Sequence, residues 1–248
     1  MYYILALILL GVVSYSAIGG AREYKIFQKL KKTAHRQHYY RKWLIESWVL
    51  FAGVAIAILV ALGKQEYLLH PLIYTNVNSL IPGLIKSDQA QLQSFYAGAG
   101  VGLMVAIAVT IIRSWKAVKR KFATAGDVEA LLPRNSSERI LGFYTAVTAG
   151  ITEELFFRAA LPVVLFGIIG NAMACIVASV IIFGLVHFYQ GWKGVLGTLV
   201  MGGILMKAFM LSGNIVVPIA IHTFIDLWGL LIIPYVADRS AMAAKRRS

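Results

Sequence analysis

Cysteine is almost missing from this chain of 248 residues: Cys175 stands alone, so neither an intrachain disulfide framework nor a cysteine-held metal centre can be built. It lies within an apolar run and reads as a small buried hydrophobe. Acidic residues are also scarce, 11 Asp and Glu against 24 Lys and Arg, for a net charge of +13. No nucleic-acid-binding motif accompanies that excess, which argues against RNA or DNA as a partner. Low-complexity linkers and internal repeats are absent, so a repeat solenoid is excluded. No basic residue precedes the first apolar run, so that run reads as a retained anchor rather than a cleaved signal peptide. A His-Glu-x-x-His helix, which sets two zinc ligands on one face, is also missing.

What is abundant is oil. The chain is 59% hydrophobic, with a mean hydropathy of +0.72, more apolar surface than a soluble domain of this length needs. Apolar runs at 2–18, 43–63, 95–112, 171–188, 194–211 and 214–234 approach the roughly 20 residues that cross a bilayer as a helix. A seventh region, 139–170, is apolar apart from one charged motif. The fold expected is therefore all-α, a polytopic membrane helix bundle of about seven transmembrane helices. Lys and Arg concentrate in 19–42, 113–139 and the tail, whereas 64–94 holds only Lys64 and Lys86. By the positive-inside rule the amino terminus lies outside and the carboxy terminus in the cytoplasm. The basic loops are expected to meet anionic lipid headgroups.

The chain divides near 113–138. Residues 1–135 read as a scaffold of three helices with basic loops, 136–237 as the working membrane domain, and 238–248 as a basic tail. Asn135 with Glu138 three residues on resembles a capping box that opens a helix toward Glu153. A straight helix over 139–169 would be about 46 Å long, so Pro162 is expected to kink or end it. The small-residue spacings Gly98/Gly102, Gly194/Thr198 and Thr198/Gly202 are assigned to helix packing. Glu46 and Lys207, near segment ends, are read as snorkelling side chains.

Ionisable groups at membrane depth are costly and mark functional sites by default. Here they fall into three words: Glu153-Glu154-Leu-Phe-Phe-Arg158, Phe183-Gly-Leu-Val-His187 and His222-Thr-Phe-Ile-Asp226. On a helix, residues four apart share a face, so Glu154 is expected to pair with Arg158. Glu153 is offset by about 100° and is left without a local cation. An unpaired carboxylate in a water-poor pocket suits a general base acting on water. Only two of the five histidines lie in spanning segments, and both are in these words. Asp226, one turn from His222, can fix the orientation of that ring and favour its protonated form.

In this order, Glu-Glu-x-x-x-Arg, Phe-x-x-x-His and His-x-x-x-Asn/Asp on successive membrane helices, the chain resembles the CPBP family. That family includes CAAX-processing endopeptidases of the Rce1 type and bacteriocin self-immunity (Abi) proteins. The likeness covers roughly residues 136–237. It implies that Glu153 activates the hydrolytic water and His187 helps to position or deprotonate it. Glu154 and Arg158 would hold the local geometry, Phe183 would shape the pocket, and His222 with the residue four later would stabilise the oxyanion. Here that residue is Asp226 where the best-known members carry Asn. An ionised carboxylate cannot donate, so Asp226 is expected to act indirectly, by orienting a protonated His222.

The function expected is an intramembrane endopeptidase that cuts a membrane-associated peptide or protein, in a multi-pass protein of a bacterial plasma membrane. The alternative is a non-catalytic protein: a proton-coupled binding or transport site built from the same groups, or a self-immunity protein. No metal is favoured; if zinc takes part, Glu153, His187 and His222 are the candidate ligands. All three words must converge on one hydrated cavity.

Overall fold

The computed structural model describes residues 1–65, 94, 98 and 128–235. The expected span 95–112 (apart from Gly98), the basic stretch up to residue 127 and the tail 238–248 lie outside the described residues. Those described are helical, with no strand among them. Helix α1 (Tyr2–Phe27) is followed by α2 (Thr33–Glu46), which passes through a wider π turn, Ser47–Gly53, into α3 (Val54–Ala61). Helix α4 (Ser136–Glu154) similarly runs through a π segment, Leu155–Ala160, into α5 (Leu161–Ile169). Helices α6 (Ala172–Val186), α7 (Gly191–Ser212) and α8 (Val216–Leu227) complete the described bundle.

Among the described residues, four stretches are long and apolar enough to cross a bilayer: Tyr2–Phe27, Thr33–Ala61, Ala172–Ser212 and Val216–Tyr235. The third folds back on itself. His187–Gln190 forms a 3-10 turn and Gly191 takes a φ of +75°, a left-handed conformation that glycine adopts without steric cost. Helices α6 and α7 then run antiparallel, with Gly184 against Leu199 and Gly202 against Phe183. Their outer faces carry large apolar side chains such as Val200, and α1 does the same with Leu7 and Leu10, all more than half exposed. Such a surface is unsuited to water and suited to lipid.

Pro162 does not end its helix. Within the π segment the Leu161 N–H returns to the Phe156 carbonyl, so the next N–H in that register would serve the Phe157 carbonyl. Pro162 has none to give. The Ser179 hydroxyl of α6 donates to that carbonyl instead. The wider turn thus absorbs the proline and ties α6 to the charged motif, and the helix continues to a left-handed stop at Gly170.

The N-cap forms as expected on one side, with Asn135 Oδ1 accepting from the Glu138 N–H at 3.0 Å. The reciprocal half does not. Glu138 Oε2 accepts from the Arg134 N–H at 2.9 Å and from Arg36 Nε at 3.1 Å. Arg36 and Glu138 are both wholly buried, and the Arg36 guanidinium sits 4.3 Å from the centre of the Phe27 ring. One member of the basic run 19–42 is therefore part of the interior, clamping α2 to the start of α4. Glu46 likewise does not snorkel. It accepts from the Tyr15 hydroxyl at 2.8 Å and pairs with Lys42 at 3.1 Å, joining α1 to α2. The main core unites both described parts, with Leu9, Phe51 and Leu59 packed in one cluster with Phe156, Phe157 and Phe209.

The contact that positions the site is α4 against α8. A Cβ placed on Gly150 would lie 2.1 Å from Thr223 Oγ1 and 2.9 Å from the Thr223 backbone nitrogen. Only glycine permits this approach. Gly150→Ala is expected to force the helices apart at a cost of about 1–3 kcal/mol, read as a lowered unfolding temperature in detergent.

Candidate active site

Each of the three words sits where a helix changes character. Glu153 and Glu154 close α4 just ahead of the π segment that carries Arg158. His187 ends α6 at the 3-10 turn, and His222 with Asp226 occupies the last turns of α8. Residues far apart in the chain are brought together at these ends.

Glu154 is the hub. Its Oε2 lies 3.0 Å from Arg158 Nε, the expected pairing one helical turn apart, and its Oε1 lies 2.6 Å from His222 Nδ1. The carboxylate is fully buried and Arg158 is 1% exposed. A charge can be held so deep only when paired and hydrogen-bonded. The Arg158 guanidinium also stands 4.2 Å from the centre of the Phe183 ring, a cation–π contact. Phe183 in turn meets Phe157 edge-on at 5.2 Å and His187 at 4.8 Å. It thus serves as a floor beneath both imidazoles.

One expectation is corrected here. The carboxylate that grips the His222 ring is Glu154, from another helix. Asp226 lies 3.7 Å from His222 Nε2, on the opposite side of the ring and beyond hydrogen-bonding distance. The i,i+4 spacing within α8 was visible in the sequence, whereas the shorter partner 68 residues away was not.

His187 and Glu153 form the second pair. His187 Nδ1 lies 2.8 Å from the Phe183 carbonyl oxygen. A carbonyl oxygen only accepts, so Nδ1 carries the hydrogen and the neutral ring keeps Nε2 as an acceptor. That Nε2 faces Glu153 Oε2 at 3.7 Å. The gap is too long for a direct hydrogen bond. Glu153 Oε2 is a buried oxygen with no protein hydrogen-bond donor.

Glu153, His187, His222 and Asp226 all line one cavity of about 570 Å³, within the range of ordinary ligand sites. Tyr189 lines it too, its ring 5.9 Å from that of His187. So do Glu23 and Glu46 from the amino-terminal helices. These three were not picked out in the sequence as site residues. Tyr189 looked like one aromatic among many, and the acids fell in segments read as scaffold.

Among the described residues no three His, Cys, Asp or Glu side chains are disposed to close on one metal ion. His222 Nδ1 is committed to Glu154, and its other nitrogen lies 3.7 Å from Asp226 Oδ2.

Residues 135–228 match the model of the type II CAAX prenyl endopeptidase Rce1-like family. The match begins at the Asn135 N-cap, ends at Trp228 and contains all three words, so that stretch is similar to the family the motifs resembled. No curated protein and no solved structure gives a match.

The two adjacent glutamates should fail differently when changed. Glu154→Ala leaves Arg158 and His222 buried around a lost charge, and is expected to cost about 3–5 kcal/mol of stability. Glu153→Gln keeps shape and removes no protein hydrogen bond, so its unfolding temperature should stay close to that of the parent. Thermal unfolding of both variants in detergent checks the contrast.

Proposed function

Proceeding from the Rce1-like stretch at residues 135–228, we propose that this chain is an intramembrane endopeptidase of the glutamate-activated, metal-free type. The observation that carries the reading is the pairing of Glu153 with His187, 3.7 Å apart, on the wall of one cavity within a lipid-suited bundle. A water admitted to that cavity beside Glu153 and His187 meets two acceptors that hold and polarise it. The substrate is a membrane-associated peptide or protein segment, and the bundle is a multi-pass one.

In the proposed reaction the water oxygen attacks the scissile carbonyl carbon while Glu153 takes its proton and His187 Nε2 steadies the other hydrogen. The carbonyl oxygen becomes an oxyanion. His222 supplies the donor for it: Nδ1–H is held by Glu154, and in the protonated ring Nε2–H remains for the developing charge. Asp226, near Nε2 without bonding to it, supports the charged ring from the side. The proton on Glu153 then passes to the amide nitrogen, the carbon–nitrogen bond breaks, and a carboxylic acid and an amine leave. Arg158 and Glu154 keep the His222 ring oriented and touch no reacting atom.

The experiment is a comparison of new peptide termini generated in membranes containing the parent protein or Glu153→Gln. Loss of the general base should lower kcat by about 10²–10⁴-fold while the protein still folds. Cleavage by the parent should persist after treatment with a strong chelator. Equal cleavage by parent and Glu153→Gln would sink the reading; abolition by chelator, restored by zinc, would sink its metal-free form.

A further inference from the structure

A membrane peptide must unwind to expose the bond that is cut, and the carbonyls and N–H groups so freed need partners at membrane depth. Acceptors for the N–H groups are at hand, since the carboxylates of Glu153 and Asp226 line the cavity. Donors for the carbonyls are scarcer. The Trp43 indole and the hydroxyls of Tyr15, Thr145 and Thr198 also line it, but each donates to a carboxylate or a backbone carbonyl of the protein itself. His187 Nδ1 and His222 Nδ1 are taken by Phe183 and Glu154.

Tyr189 is different. It lies on the 3-10 turn two residues after His187, and its side chain lines the same cavity. Its hydroxyl oxygen accepts from Gln190 Nε2 at 3.0 Å, and among the described residues that hydroxyl donates to none. A phenol carries one donor hydrogen, which is left for a guest. An oxygen that already accepts is also the better donor, because successive hydrogen bonds polarise one another. The group is held in place. The Tyr24 ring of α1 meets the Tyr189 ring edge-on at 5.3 Å, and the His187 ring flanks it at 5.9 Å. Gln190 is seated on bare backbone of α7: a Cβ on Gly194 would lie 2.3 Å from Gln190 Cβ. That glycine makes the room in which the amide can brace the phenol.

We propose that Tyr189, braced by Gln190, is a substrate-binding residue whose hydroxyl donates to a backbone carbonyl oxygen beside the scissile bond. The inference rests on the endopeptidase reading and deepens it, by assigning what holds the main chain of the substrate while Glu153 and His187 act on the water. The donor recognises a carbonyl and no side chain. It therefore fixes the register of the peptide without selecting the identity of its residues, and good register is what brings the reacting atoms into line.

The test uses the purified full-length chain in detergent. The probe is a fluorogenic peptide copied from the sequence around the most abundant new terminus that the parent generates in membranes. A matching set replaces each backbone carbonyl flanking the cut, one at a time, by a thiocarbonyl, a weaker acceptor. Tyr189→Phe keeps both ring contacts, so its unfolding temperature should stay near that of the parent while kcat/KM falls about tenfold or more. One thiocarbonyl position should cause a similar loss in the parent and none in Tyr189→Phe; the other positions should act equally in both. Gln190→Met, which keeps the hydroxyl and removes its brace, should show a smaller loss with that position still sensitive. A packing role would not couple one hydroxyl to one substrate atom. A folded Tyr189→Phe protein that cleaves like the parent, or losses that add at every position, overturns the subsite and leaves the peptidase standing. Should the loss of the phenol prevent folding, an unchanged rate and thiocarbonyl profile in Gln190→Met overturns it instead. No new terminus from the parent sinks the peptidase, and the subsite falls with it.

Discussion

Everything at the centre of this bundle depends on one buried carboxylate. Glu154 has no water to solvate it, so it must be matched by Arg158 on its own helix and by His222 from α8. The first pairing is local and follows from the helical turn. The second is tertiary and fixes α8 against α4 at the level of the site. Because an unpaired charge at such depth is costly, the three groups define one another's positions and leave little freedom to the rings and helices that carry them. Glu153, one residue earlier, is spared this duty and faces the cavity.

The close approach of α4 and α8 makes that arrangement possible. Gly150 lets the Thr223 backbone come within a distance that any side chain would block. Behind it, the π segment and Pro162 free the Phe157 carbonyl for Ser179, which draws α6 and its histidine toward the same place. Phe183 fills the space between, against Arg158, His187 and His222 at once. The chemistry-bearing groups are few, and the surrounding packing is what holds their separations.

A second buried pair, Arg36 with Glu138, performs a comparable task at the opening of α4. It links the amino-terminal helices to the Rce1-like stretch, so the cavity is walled by both. Glu23, Lys42 and Glu46 then contribute charge from the part of the chain that lies outside the matched stretch.

Composition and periodicity were enough to read a helical membrane protein, to separate Glu153 from Glu154 and to pair Glu154 with Arg158. Those features rest on local geometry: a helix repeats every 3.6 residues, and apolar length must match the bilayer. The motif order also pointed to the family whose model matches residues 135–228. Other features were illegible because they depend on neighbours distant in the chain. The hydrogen bond that Glu154 accepts from His222, the inward turn of Arg36 and the placing of Glu23 and Glu46 on the cavity wall are decided by which helices touch. Pro162 shows the same limit, since its missing N–H predicts a break until a hydroxyl from another helix takes its place. The sequence by itself thus determined which groups are too costly to bury alone and which pair within one helical turn; the tertiary structure decided their distant partners, because contacts such as Glu154 with His222 and Arg36 with Glu138 span separate helices.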